Sequence, residues 1–416
     1  MKGEKSVLIV GLSTQMELAV IQSLGRHGIK VYGINDKKSR CFFSKYLTKG
    51  YIFPNYEDEK NFIAFVEQIL KKHEINYIIS MWPETLLITL NKYRNRFEKN
   101  SKLLFPPEEI LDKALDKNKT MKLARGLNIP VPKTVVVSDS SDLDSCKDLK
   151  FPVVMKPGSR NYRNPVDAEM DFKREYFQNF FSLQNFVNRF KPFKFHPVLV
   201  QEFCNGEEIG FPVLMHNGKC VACMQYRILR TYPVNGGVST YREAVPVDSK
   251  IKDYSIKLLK AMNWEGIAEI DYKFDNKNKE VKLLEVNGRF WGAVALSIKS
   301  GLDFPYLLFK CAEGSIENKE YTLYRIGTKC RMLCSDTAWL SDILFERIPS
   351  SEIGDIPSKN KAVLEYIKSF HPSVKYDFES LDDPLPGILD IISAMISIFS
   401  GVPLPFNVSL RKHKEI

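Results

Sequence analysis

Glu285, Asn287 and Arg289 stand at every second position of the stretch "LLEVNGRFWG", which leaves an apolar run and ends against Phe290, Trp291 and Gly292. Side chains two apart on a strand share a face, so an anion, a neutral oxygen donor and a cation would line one side of it. Upstream, "GIAEIDYKF" alternates in the same way and is separated from "EVKLLEVN" by the polar "DNKNK". That is the pattern of a β-hairpin with a loop of several residues. Asp271 can then share a face with Glu285 and Asn287, and Glu269 has the parity to join them. Oxygen donors converging at a sheet end suit Mg2+, which takes hard oxygen ligands at about 2.0–2.1 Å and keeps waters and substrate phosphates in its other positions. Arg289 would face the same cavity, where a cation steadies charge on a transferring phosphoryl group. The alternative is an ordinary solvated sheet face with an incidental salt bridge.

Further groups upstream suit anionic ligands. Lys156 closes the apolar strand "FPVVMK" before Pro157 and Gly158, and an ammonium leaving a buried strand calls for an anionic partner. Lys117, in "LDKNKT", opens a helix, where the helix dipole also attracts anions. A plain surface lysine is the alternative there. "VLVQEFCNGEE" ends a strand with Gln201 and Glu202, and Glu208 follows a glycine turn. An extended hinge offers backbone groups that can read an adenine edge, and a carboxylate can accept from ribose hydroxyls. In "YRILRTYPVNGGVSTYRE", Arg227 and Arg230 could hold a substrate carboxylate by bidentate pairing. Gly236 and Gly237 would let backbone amides approach it. A hairpin with a flexible turn and exposed arginines is the plainer reading.

The elements that must position these groups follow a readable order. Residues 1–110 alternate strand and helix: "SVLIVG", "QMELAVIQSLGRHG", "KVYGIN", "EKNFIAFVEQILKKHEI", "NYIIS". This is the rhythm of a parallel sheet. The first turn, "GLSTQME", has one glycine where a dinucleotide fingerprint needs three, which excludes NAD. Ser13, Thr14 and Gln15 either contact a substrate or form an ordinary hydroxyl-capped helix start. "FPPEEILDKALDKNKTMKLARGLNIPVPKTVVV" predicts two short helices, a turn and a strand, with "IPVP" marking the crossing into a second domain. "FPVVMKPGS" and "HPVLVQEF" read as strands around an amphipathic helix at "FQNFFSLQNFVNRF". Strands dominate from 207 to 290, interrupted by a helix at "KDYSIKLLKAM", and "PYLLFKCAEG" is helical. In "PGILDIISAMISIFSG", Asp390, Ser393, Ser397 and Ser400 form a narrow polar stripe on an otherwise apolar helix. It is too short to span a bilayer. Packing on the core or a partner subunit is expected, with membrane-surface contact through 386–401 the alternative, aided by the basic "LRKHK".

Composition narrows the classes. A chain of 416 residues with 44% hydrophobic content supports two or three domains. The 60 basic and 50 acidic residues leave a net charge of +10, mixed along the chain without a basic block interleaved with aromatics. A nucleic-acid partner is therefore not expected, and the surplus suits anionic ligands or a bland basic surface. Eight cysteines lack a paired framework, consistent with a reducing compartment. Cys220 and Cys223 form a lone C-x-x-C without the second pair a structural zinc would want, so free thiols are expected. "MKGEKSVLIVG" is unlike a signal peptide and no run reaches the ~20 apolar residues of a membrane span, so a cytoplasmic location is expected.

In order and spacing, "DKNKTMKLARGLNIPVP", "FPVVMKPGS", "VLVQEFCNGEEIGFPVL" and "GIAEIDYKF…LLEVNGRFWG" resemble the ATP-grasp superfamily, over residues 5–310. "LLEVNGRFWGAVALSIKSGLDFPYLL", "RILRTYPVNGGVSTYREAV" and "DDPLPG" are similar to its biotin-carboxylase-related carboxylate–amine ligases, among which are the D-aspartate ligases of cell-wall assembly. The resemblance implies an α/β and α+β fold in three parts. These are a Rossmann-like pre-grasp domain at 1–110, an ATP-grasp domain at 111–315 and a C-terminal extension at 316–416 carrying the amphipathic helix. The ATP-grasp domain divides into a small lid subdomain about 125–205 and a large one about 206–315. ATP and Mg2+ are implied, with two ions and Mn2+ as a possible substitute. Lys117 (or Lys119) and Lys156 match the lysines near the α and β phosphates, and Gln201 the position reading the adenine amino group. Glu202 and Cys204 match backbone contacts, and Glu208 the ribose-binding acid. Asp271, Glu285 and Asn287 match the metal ligands, and Arg289 the arginine beside the γ-phosphate and the acyl intermediate. The implied activity joins a small-molecule carboxylate to an amine through an acyl phosphate, on a cell-envelope, polysaccharide or amino-acid substrate, and an oligomer is possible. A nucleotide-binding regulatory or assembly protein without turnover is the alternative. One departure stands out: "GSRNYRNPVDAEM" has a single glycine where the family has a glycine-rich lid. Phosphate cover would fall to Arg160, Arg163 or Lys173, or to a loop ordered by binding.

Overall fold

The computed structural model describes residues 5–158, 174–191, 193, 196–234, 236–275, 278–348 and 356–400. Its N-terminal sheet is built on the strand Ser6–Val10, buried along its whole length. That strand pairs in parallel with Lys30–Asn35 and Tyr77–Ser80, and Leu47–Ile52 and Lys102–Leu103 form the two edges. Both edge strands escaped the sequence pattern. Leu47–Ile52 is half-exposed and mixed in polarity, so it lacks the apolar run that marks a central parallel strand. The helix Glu59–His73 buries Phe62, Ile63, Val66, Ile69 and Leu70, the spacing of one helical face.

A second, four-stranded antiparallel sheet runs in the order Thr134–Val137, Val198–Glu202, Val153–Pro157, Glu175–Phe177. The helix Phe180–Phe190 covers it, burying Leu183 and Val187. The third sheet has eight strands. At its centre lies Gly206–His216, flanked by Gly266–Asp275 and by Gln225–Tyr232, with Glu280–Asn287 at one edge. Two strands from beyond residue 315 extend its other side: Lys329–Arg331 pairs with Val238–Val245, and Lys375–Tyr376 pairs with Lys329–Arg331. The C-terminal region is thus woven into the large sheet.

The helix Pro384–Ser400 packs on the helix Leu333–Leu344 and on the turn Arg40–Phe43. The described part of its polar stripe, Asp390 and Ser393, points inward. Asp390 is wholly buried and ion-paired with Arg40, and Ser393 is buried beside Ala394. The side chains of Ser397 and Ser400, and the basic tail, lie outside the described residues. No helix among the described residues is long and apolar enough to cross a membrane.

Candidate functional site

The hairpin of Gly266–Asp275 and Glu280–Asn287 sets Asp271 directly opposite Glu285 and Glu269 opposite Asn287. Asn287 donates from Nδ2 to Asp271 Oδ2 at 2.8 Å and towards Glu269 Oε2 at 3.4 Å. Lys117 reaches the same cluster and donates from Nζ to Glu285 Oε2. Local chemistry explains its position. Asp116 caps the helix Lys117–Gly126 by accepting from the amides of Asn118 and Lys119 at 2.8 and 3.1 Å, one of the preferred N-caps. The Lys117 amide donates to the Gly158 carbonyl at 2.9 Å, which ties the helix start to the end of the strand bearing Lys156. Lys119 points away and pairs with Asp112 on the preceding helix.

Glu269 lies deeper than Asp271 and Glu285 and is as buried as Asn287. It is buried and accepts from the Tyr226 hydroxyl. Burial, then the neighbouring Asp271 carboxylate, push its carboxyl well above the usual range, favouring the neutral acid. Tyr226 gets there because Gly210 leaves room for its ring, where a Cβ would collide. Neither Tyr226 nor Gly210 announces this role locally. The register that places Gly210 opposite both Tyr226 and Asp271 only exists once three strands have paired.

On the four-stranded sheet, Lys156 donates from Nζ to Gln201 Oε1 at 2.9 Å, and Gln201 donates from Nε2 to Thr134 Oγ1 at 3.0 Å. The Gln201 side chain is therefore engaged across the strands, orienting Lys156. The Glu202 amide donates to the Lys133 carbonyl at 2.9 Å, and its carboxylate accepts from the Lys150 amide at 2.9 Å. Cys204 is buried in the short link to Gly206–His216, and burial pushes its thiol up. Glu208 accepts from Lys273 Nζ at 3.1 Å, and that ammonium lies 5.0 Å from the centre of the Phe203 ring. Phe203, Glu208 and Lys273 thus gather where the two sheets join.

Arg289 is aimed by a residue that sequence reasoning missed. Glu84, buried at the start of the helix Glu84–Lys92, accepts from Arg289 Nε at 3.0 Å. Arg289 Nη1 donates to the Phe290 carbonyl at 2.9 Å, and the guanidinium lies 5.6 Å from the Trp82 ring centre. Thr14 caps the first helix in a capping box with Glu17, the pattern of an ordinary helix start. Gln15 instead reaches out and donates to the Gly292 carbonyl at 3.3 Å. Burial pushes the Glu17 carboxyl up to about 7 against hydrogen bonds from Thr14 and the charge of Arg289. Ser13 Oγ and Glu17 Oε1 are buried without a hydrogen-bond partner among the described residues. The start of the first helix therefore brings a polar cluster against the hairpin's exit.

The expectation that Arg230 holds a substrate carboxylate is corrected. Its guanidinium grips Asp336 in a bidentate pair, 2.6 Å on both arms, and donates to Ser369 Oγ at 2.9 Å. It stacks on Tyr241 and Trp339, with side-chain exposures of 6% for Arg230 and 0% for Asp336. Strand register explains the misreading, because the ladder shifts on both sides of Arg230 and breaks the simple alternation. Arg227 is on the surface, where Glu243 and Glu207 neutralise it at 2.8 and 3.4 Å. Gly237 leaves room for the Tyr232 carbonyl and Gly236 takes φ of +145°, so these glycines serve a tight turn. Arg160, Arg163 and Lys173 lie outside the described residues. Cys223 is buried and Cys220 half-buried, both free. Glu320 joins them, with donor atoms within 4.8 Å of one another, and Lys252 pairs with Glu320 at 2.8 Å.

Residues 194–331 match the family model described as "ATP-grasp in the biosynthetic pathway with Ter operon". Carbamoyl-phosphate synthase of Methanobrevibacter smithii is 23% identical over 190 residues, 42% of this chain and 45% of that protein. The chain thus spans less than half the length of this relative. N5-carboxyaminoimidazole synthetase of Staphylococcus aureus superposes with a TM-score of 0.62 at 14% identity, covering 89% of this chain and 98% of that one. The L-amino acid ligase of Bacillus licheniformis gives a TM-score of 0.57 at 17% identity, covering 76% and 78%. The fold is that of the ATP-grasp superfamily.

Proposed function

We propose, on the premise of an ATP-grasp fold, that the chain is an ATP- and Mg2+-dependent ligase that joins a carboxylate to an amine with release of ADP. The observation that carries this reading is the meeting of Asp271, Glu285 and Asn287 with Lys117 on one side and the Glu84-held Arg289 beyond them. The donor set fits the metal: carboxylate and amide oxygens are hard ligands, and the Lys117 ammonium lies against Glu285 as a cation would. When bound, Mg2+ supplies charge neutralisation on the nucleotide's phosphates.

The chain's own residues then have distinct tasks. Lys117 and Lys156 hold phosphate oxygens, the backbone of Glu202 to Cys204 reads the adenine edge, and Glu208 accepts from the ribose. Arg289 faces the γ-phosphate, and Glu84 fixes its direction. A substrate carboxylate oxygen attacks the γ-phosphorus, the bond to the β–γ bridging oxygen breaks, and ADP leaves. The amine lone pair then attacks the acyl carbon, inorganic phosphate departs and the nitrogen loses a proton. The acceptor side is the stretch of Ser13 and Gln15 beside Arg289, rather than the Arg227 and Arg230 strand. The resemblance to carboxylate–amine ligases favours a cell-envelope or polysaccharide precursor, with amino-acid or dipeptide ligation the companion case.

The test is ADP release across a matrix of carboxylates and amines, with hydroxylamine replacing the amine in a parallel series. A productive pair that also yields a hydroxamate supports the ligase. Tight ATP binding with no ADP from any pair would leave a nucleotide-binding module without turnover. ADP release without hydroxamate would point to phosphotransfer onto another acceptor.

A further inference from the structure

The helix Pro384–Ser400 lies with its amphipathicity inverted, and the protein holds it that way. Its inner face carries Gly387, Asp390, Ser393 and Ala394. A Cβ at Gly387 would press on the backbone of Glu379. Asp390 is ion-paired with Arg40 and accepts from the Cys334 amide at 3.3 Å, while the Arg40 guanidinium stacks 4.8 Å from the Phe378 ring centre. Turning the helix over would strip a buried carboxylate of its cation, which buried pairs do not tolerate. The outer face therefore stays outside: Leu385, Ile388, Ile391, Ile392 and Met395 are 54%, 47%, 39%, 42% and 48% exposed, and Leu381 just before the helix is fully exposed.

We propose that this face docks the protein onto an anionic lipid surface. Contiguous exposed apolar patches on soluble proteins mark interaction sites, and the side chains here discriminate between occupants. Protein interfaces carry hydrogen bonds throughout and are anchored by Tyr, Trp and Arg. The five outward side chains named above offer neither a hydrogen-bond donor nor an aromatic ring. Aliphatic side chains on one face of a surface helix are what the acyl boundary of a bilayer accepts. Charge complements this. The sequence that follows the helix runs through "GVPLPF" to Arg411, Lys412 and Lys414, and the whole chain carries a net charge of +10. Basic groups that follow an inserted apolar face in the sequence add attraction to anionic headgroups.

The experiment is flotation of the full chain with phosphatidylcholine vesicles and with vesicles that also contain phosphatidylglycerol, alongside light scattering of the free protein. The parent is expected to float with the anionic vesicles and to lose at least tenfold of its bound fraction in the double variant I388E/I392E. Both positions are exposed, so the variant should melt with the parent; Ile388→Ser with Ile392→Ser serves as a gentler pair. No flotation of the parent overturns the proposal. A dimer that I388E/I392E dissolves, with no lipid binding, overturns it in favour of a second copy on this face. Equal binding to both vesicle types overturns the anionic specificity.

Discussion

Replacing Asp336 tests directly whether Arg230 belongs to the scaffold or to a substrate pocket. Two guanidiniums converge on this one carboxylate: Arg230 through two 2.6 Å contacts and Arg331 through its Nε, with Thr240 Oγ1 donating at 3.2 Å. Arg331 is wholly buried between Tyr366 and Phe370, at 4.2 and 4.4 Å from their ring centres. Removing one partner of a buried pair costs about 3–5 kcal/mol. Asp336→Asn strands two cations, so the upper end, about 5 kcal/mol, applies. Arg230→Met leaves Arg331 to balance the carboxylate and loses charge-assisted hydrogen bonds worth roughly 1.5–3 kcal/mol. With unfolding entropy of about 2.1 cal/mol/K per residue over 416 residues, one cooperative transition gives roughly 0.9 kcal/mol/K. The expected falls in Tm are then about 5–6 °C for Asp336→Asn and roughly 2–3 °C for Arg230→Met, read by calorimetry. An Arg230→Met protein that melts with the parent but shows a raised KM for a carboxylate substrate would refute the scaffold role.

Glu84→Gln should lower kcat about tenfold to a hundredfold, 1.4–2.7 kcal/mol of lost positioning, while the Kd for ATP holds; an unchanged kcat removes Glu84 from the argument. Lys156→Met should weaken ATP binding about tenfold to a hundredfold by titration calorimetry, whereas Lys119→Met, at a surface pair, should leave it alone. Glu17 predicts a pH dependence of stability. Burial raises its carboxyl to about 7 in the fold from an ordinary 4.5, so the folded state binds the proton more tightly than the unfolded chain. That stabilising contribution is complete below the unfolded value and is lost as pH rises through 7, on the order of 3 kcal/mol in all. Denaturant titrations from pH 5 to 8 should show this slope in the parent and not in Glu17→Gln; equal slopes would count against a buried acid there.

What could be read along the chain was whatever is local. The facing of Asp271, Glu285 and Asn287 follows from a period of two and one hairpin loop. The position of Lys117 follows from a capping aspartate one residue earlier. The absence of a dinucleotide fingerprint was plain from the glycines of the first turn. Other features needed the packed molecule. Glu84 meets Arg289 across a sequence separation of 205 residues, and Tyr226 meets Glu269 only through the gap left by Gly210. Arg230 was misassigned because bulges break the alternation that strand reading relies on. For Pro384–Ser400 the sequence determined that polar and apolar residues lie on opposite sides of one helix. Tertiary structure alone decided that the polar side faces in, because Arg40, 350 residues away, holds Asp390. Periodicity specifies which side chains share a face; which face is buried depends on partners that only folding brings into reach.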